Sequence, residues 1–189
     1  MPLILQTPPA AEPVSLAEAK SHLRVAHSND DAYIDKLLVA ARRLVEARTD
    51  VRLMAQDWSL FIDRWPDDGV ISLGLSPVSV VDDIITYGES DTPATLDPAH
   101  YYLDAASRPA RVVLRDGRNV APPGRRLNGI EVRFTAGFGT TAASVPQELT
   151  QAIQLTVAAW HDNRGDGDGG SLPLAAAELL SAYRLVRLT

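Results

Sequence analysis

Few residues in this sequence are spaced as chemistry would need them, and the most suggestive are Gly137 and Gly139 in RFTAGFGTTAASVPQELTQAI, residues 133–153. An apolar run followed by G-x-G and an amphipathic run is how phosphate cradles begin, because glycine lets the backbone approach an anion at a helix N-terminus. On that reading the chain would be a small-ligand or nucleotide-binding protein working through the Gly137–Thr141 turn. The remaining parts of such a site are missing. A Walker A loop closes on Gly-Lys-Ser/Thr, whereas GFGTTAASVP has no lysine to reach a phosphate. A dinucleotide fingerprint needs a third glycine and a parallel βαβ setting. The stretch therefore reads as a structural hinge. Gly137 and Gly139 permit a sharp exit from a strand, Ser144 or Val145 caps the next helix, and Pro146 occupies its first position.

Other candidates fail on spacing. His22, His27, His100 and His161 are scattered without an H-E-x-x-H pattern, and they read as surface or packing residues. His161 and Asp162 are adjacent in sequence, but adjacent positions on a helix do not face each other. Asp162, Asn163, Asp166 and Asp168 in DNRGDGDGG offer hard oxygen ligands, but not at EF-hand positions. Ser144 has no obvious base and no G-x-S-x-G elbow. The chain has no cysteine, so disulfides, thiolate zinc sites and cysteine nucleophiles are excluded. The expectation is a protein that is not an enzyme, with no catalytic residue, metal or cofactor.

The 189 residues carry 18 basic and 24 acidic side chains, a formal charge of -6. That balance disfavours a protein that grips nucleic acid by its phosphates, while it suits a wall past which DNA must slide. MPLILQTPPAAEPV lacks the basic n-region of a signal peptide, and no apolar run approaches the roughly 18 residues a membrane helix needs. A soluble protein with a proline-stiffened N-terminal arm is expected.

The elements that would position these residues change period along the chain. In PVSLAEAKSHLRV, Ser15 and Glu18 form a capping box, and Val14 with Ala19 can staple a helix over about 16–24. Ile34, Leu37, Leu38, Ala41, Leu44 and Val45 recur at helical spacing and predict a second helix over 30–49. QDWSLFIDRW, GVISLG, VSVVDDIITYG, HYYLDA, ARVVLRDG and GIEVRFTAG are short β-branched and aromatic runs between turn residues, which predict antiparallel strands. SPVSVV and RNVAPPGRRLNG read as loops, the second an exposed basic projection flanked by Arg115. Helix returns with Leu149, Ala152, Ile153, Thr156, Val157 and Trp160 on one face. A last helix follows Pro173, striped by Ala176, Leu179, Leu180, Tyr183 and Val186. The fold class is α+β: a helical bundle from the N- and C-terminal helices with a central antiparallel β-rich insertion. The expected division is an extended arm over 1–13, a helical body over 14–56 and 137–189, and the insertion over 57–136.

The ordered set VSLAEAKSHLRV, DDAYIDKLLVAARRLVEARTDVRL, QDWSLFIDRWP, LSPVSVVDDIITYG, VRFTAGFGTTAASVPQELTQAIQLTVAAWHDNR and LPLAAAELLSAYRLVRL resembles tailed-phage head-tail connector proteins. The nearest branch is the adaptor of prophages and gene transfer agents. The resemblance implies a structural protein that forms a ring, commonly of twelve copies, beneath the portal. It would extend the DNA channel and bridge to a tail-side connector or stopper, with double-stranded DNA passing through unread. An isolated subunit would be monomeric, made in the bacterial cytoplasm and ending in the neck of the particle, with no membrane partner. The C-terminal segment, with Leu174, Leu179, Tyr183, Arg184, Arg187 and Leu188, is implied to reach the portal. The loop carrying Arg115, Arg118, Arg125 and Arg126 is implied to face the tail side.

Overall fold

The computed structural model describes residues 1–115, 120–163 and 172–184. Among them, strand β1 (Leu3–Thr7) precedes helices α1 (Leu16–Leu23) and α2 (Asp31–Thr49). Strands β2 (Gln56–Ile62), β3 (Val70–Ser72), β4 (Val78–Tyr87), β5 (Pro93–Thr95), β6 (Tyr101–Asp104), β7 (Arg111–Leu114) and β8 (Ile130–Ala136) follow. Helices α3 (Gln147–Asp162) and α4 (Leu174–Ser181) close the order. The fold is mixed α+β with antiparallel sheets, as the sequence implies. It divides into a sheet unit, 1–9 with 55–138, and a helical unit, 10–54 with 139–189.

In the sheet unit five strands lie in the order β1-β2-β8-β4-β5 and three in the order β3-β7-β6. The long pairings are antiparallel, β2 on β8 from Gln56↔Ala136 to Ile62↔Ile130 and β4 on β8 from Val78↔Ala136 to Thr86↔Ile130. Alternation along β8 sends Ile130, Val132, Phe134 and Ala136 to one face, where they pack with Leu60, Ile62, Val78 and Ile84. Ile71, Tyr101, Val112 and Leu114 of the three-stranded sheet join the same core. Each large apolar side chain buried there contributes about 1.5–3 kcal/mol. Phe134 has no exposed surface and sits at the centre of the β2-β8-β4 ladder.

In the helical unit α3 packs on α1, α2 and α4, and α2 on α1 and α4. The N-terminus of α1 has the geometry its sequence predicts. Glu18 N–H donates to Ser15 Oγ at 3.2 Å, and Ser15 N–H donates to Glu18 Oε2 at 2.8 Å. The Ser15 hydroxyl also donates to Glu18 Oε2, at 2.6 Å, and this bond first, then the one from the Ser15 backbone N–H, holds the Glu18 carboxyl below its ordinary range. Val14 and Ala19 are both buried beside the cap. The α2 face buries more than its apolar stripe, because Arg42, Glu46 and Thr49 join Ile34, Leu38, Ala41 and Val45 inside. Arg42 Nε donates to Glu12 at 2.7 Å and its Nη1 to Glu46 at 3.0 Å, while Glu46 also accepts Leu53 N–H at 3.1 Å.

Four local expectations change. Residues 3–7 of the expected arm are strand β1 on β2, from Leu3↔Leu60 to Thr7↔Asp57, so main-chain bonds to a distant strand fix them without an assembly partner. Of SPVSVV, read as a loop, Val78 to Val81 already belong to β4, because β8 supplies their ladder. Strand β5 has only PAT to announce it and is held by pairing with Ile85 to Tyr87. Pro146 is the N-cap residue of α3, extended at φ -53° and ψ 138°, rather than its first helical residue; a 3-10 turn over Ala142–Ser144 precedes it.

Candidate interaction surfaces

The turn after β8 shows why its glycines are needed. Gly137 has φ 136° and donates its N–H to Pro77 O at 2.9 Å, and Gly139 has φ 158°, both in the region that side chains avoid. A Cβ on Gly139 would come within 2.7 Å of Ser144 Oγ. That oxygen lies 3.1 Å from Thr141 Oγ1, so the two hydroxyls close the turn on each other. The space a phosphate cradle would leave open is filled by the turn's own side chains, and nothing supports the nucleotide-binding reading.

The expected basic projection is held down instead. Among its described residues, Gly124 and Arg125 both donate their N–H groups to Tyr87 O, at 3.0 and 3.1 Å, and Asn128 N–H reaches Asp63 Oδ1 at 2.7 Å. Trp65 Nε1 donates to Ala121 O at 2.9 Å. The Arg125 guanidinium lies 5.2 Å above the Tyr87 ring and 3.6 Å from Asp91. Arg115 is engaged elsewhere, 3.8 Å above the Tyr102 ring and donating to Tyr101 O. The described arginines are therefore engaged by different elements. Arg125 is tied to the β4-β5 hairpin and Arg115 to β6, while Arg126 is exposed beside Leu127, which is 69% exposed. Arg118 lies outside the described residues.

At the C-terminal end Leu174 is 77% exposed. Leu179 helps line a surface groove with Gln147, Glu148, Thr150 and Gln151, and Tyr183 OH lies 3.3 Å from Glu148 Oε2. Arg184 is exposed, and Arg187 and Leu188 lie outside the described residues. The Gly/Asp-rich run at 164–170 also lies outside them. His161 sits 3.6 Å from Asp162 and 3.8 Å from Asp30, near the Tyr33 ring. No group of three His, Cys, Asp or Glu suited to a metal occurs among the described residues.

A polar network that the sequence analysis does not single out lies on the outer face of the five-stranded sheet. Glu131 is 4% exposed and accepts from Ser59 Oγ at 2.7 Å, from Arg133 Nε at 2.9 Å and from Tyr87 OH. Burial alone would raise its carboxyl, but the bonds from Arg133, Tyr87 and Ser59 together outweigh that and hold it below its ordinary value. Nearby, Thr135 Oγ1 donates to Asp57 at 3.0 Å. Asp82 is pushed up by burial first and by the Asp57 charge second. Gln6, Thr7, Asp57, Trp58, Asp82 and Arg133 line part of one open pocket there. The sequence signal was the polar alternation Glu131, Arg133, Thr135 within an apolar strand.

Residues 13–90 match the family model for phage gp6-like head-tail connector proteins. Over those residues the chain is similar to head-tail connector proteins. Among solved structures, three match this chain over its whole length, covering 98% of the other chain in each case. A chain in the neck of an empty GTA particle, computed with C6 symmetry, matches with TM-score 0.86 and 27% identity. A chain in the neck of the native GTA particle, computed with C12 symmetry, matches with TM-score 0.82 and 26% identity. A chain from the virion of the native gene transfer agent (GTA) particle, 24% identical with TM-score 0.85, shares the fold. No curated protein sequence matches the chain. The resemblance read from the motifs is borne out by the connector family model and by the matches to neck chains.

Proposed function

We propose that this chain is a head-tail connector, the adaptor of a phage-like particle, a ring beneath the portal that extends the DNA channel and receives the tail-side component. The observation that carries the reading is the end-to-end match, at 27% and 26% identity, to chains in GTA particle necks computed with C6 and C12 symmetry. Twelve copies are compatible with both symmetries. Neighbouring subunits in such a ring meet through unlike patches, since only heterologous contacts close a cycle of more than two. The net charge of -6 fits a channel wall that does not retain DNA. No described helix is long and apolar enough to cross a membrane.

Within this reading the α4 end, with Leu174, Leu179, Tyr183 and Arg184, meets the portal, and Arg187 and Leu188 extend that contact. The pinned loop meets the tail side through Arg126 and Leu127. Chains assemble in the bacterial cytoplasm and remain in the particle neck. The protein has no turnover to measure, so the test is assembly: producer cells lacking it should release DNA-filled heads without tails, restored by supplying the chain. Tails attached at the normal frequency without it would overturn the proposal.

A further inference from the structure

The five-stranded sheet has two unlike edges. On one side β5 is three residues long and begins with Pro93, which has no N–H to offer. On the other, β1 is LILQT, without a charge, and no described strand lies beyond it. The direction of its main-chain groups follows from one bond. Phe61 N–H donates to Pro2 O at 3.0 Å, and the register sets Leu3 opposite Leu60. Hydrogen-bonded pairs alternate along an antiparallel ladder, so Ile4 turns its groups to Ser59 on β2, while Leu3 and Leu5 turn theirs outward. Ile4 is 47% and Leu5 41% exposed, so apolar side chains flank this open edge on both faces. Native sheets usually blunt such an edge with charge, proline or a bulge, and β1 has none before the register shift after Leu5.

We propose that β1 accepts an added strand from a different protein of the neck: an extended segment with alternating apolar side chains and a basic residue at the Thr7 end. The basic residue is called for by Asp57 and Asp82, which share one pocket with Gln6 and Thr7. A second copy's β1 is the wrong donor, because edge-to-edge pairing of identical strands makes a closed two-fold pair and not a ring. The partner's location rests on the adaptor reading; the open edge does not.

Amide hydrogen exchange tests this on the purified chain and on intact particles. In the purified chain Ile4 is protected while Leu3 and Leu5 exchange fast; in particles Leu3 and Leu5 should slow by at least about tenfold. Fast exchange at both positions in particles that contain the chain overturns the inference. So does concentration-dependent dimerisation of the purified chain that protects the same two amides. Leu5→Pro removes one outward N–H at an edge position that tolerates proline, and Leu5→Thr keeps it. With Ile4 still protected, the proline variant alone should lose tail attachment, and equal attachment in both counts against the added strand. A chain absent from particles sinks the adaptor reading instead.

Discussion

The two units solve one problem with opposite charges. In the helical unit a buried cation, Arg42, is held between the carboxylates of Glu12 and Glu46. In the sheet unit a buried anion, Glu131, is held by donors from Ser59, Tyr87 and Arg133. The difference lies in what each group can do when its partners fail. A guanidinium stays charged at any pH a cell reaches, so the Arg42 cluster is sustained by its partners alone. A carboxyl can take up a proton, so the Glu131 cluster weakens in acid. The helical cluster also ties together distant parts of its unit, since Glu12 precedes α1 and Glu46 holds the Leu53 N–H beyond α2.

The largest expected effect follows from the cation that cannot discharge. Glu46→Ala leaves Arg42 buried with one carboxylate and orphans the Leu53 N–H. It should cost about 3–5 kcal/mol, read as a lower denaturation midpoint in urea. A loss under about 1 kcal/mol would mean that water or Glu12 already satisfies Arg42, and the contrast between the units would collapse.

Glu131→Gln sharpens the other half. The isosteric amide keeps the volume but weakens acceptance from two hydroxyls and a guanidinium, at a cost of about 1–3 kcal/mol at neutral pH. Its pH dependence has a definite sign. The folded carboxyl lies below its ordinary 4.5, so its stabilisation is complete above 4.5 and is lost as pH falls through the folded value. Unfolding midpoints of the two proteins should therefore converge below that pH. A gap that stays constant into acid would show that the carboxylate's charge contributes nothing.

The same contrast explains what could be read from the residues in order. Val14, Ser15, Glu18 and Ala19 specify the start of α1 within six positions, and the structure forms the capping box and buries both apolar residues. Arg42 and Glu46 are four apart and share the helical face of Leu38, Val45 and Thr49, a signal present but masked by the convention that charges face water. Strand β1 was beyond such reading, because LILQT becomes a strand only through β2, more than fifty residues away. The loop before β8 misled for the same reason. Its arginines look solvated in sequence, yet Tyr87 and Asp91, far upstream, hold Arg125. Of the candidate surfaces, the hinge glycines were legible from local backbone need, while the open edge and the Glu131 network required the sheet register.

The smallest effect belongs to the carboxylate without enough donors. Asp82 is pushed upward by burial and then by Asp57, with Thr135 3.5 Å away as a weak compensating donor. A raised folded value means that the protonated form is preferred on folding, so this group's contribution is full at low pH and lost as pH rises through the folded value. At neutral pH the charged Asp82 opposes folding, the reverse of Glu131 in the neighbouring ladder. Asp82→Asn should then raise the thermal midpoint slightly in dilute buffer, with the gain shrinking as salt screens Asp57. A lowered midpoint would show that Asp82 is charged for the fold's benefit. The acidic pocket beside β1 would then be an internal support for the sheet, and the demand for a basic residue in the incoming strand would lose its ground.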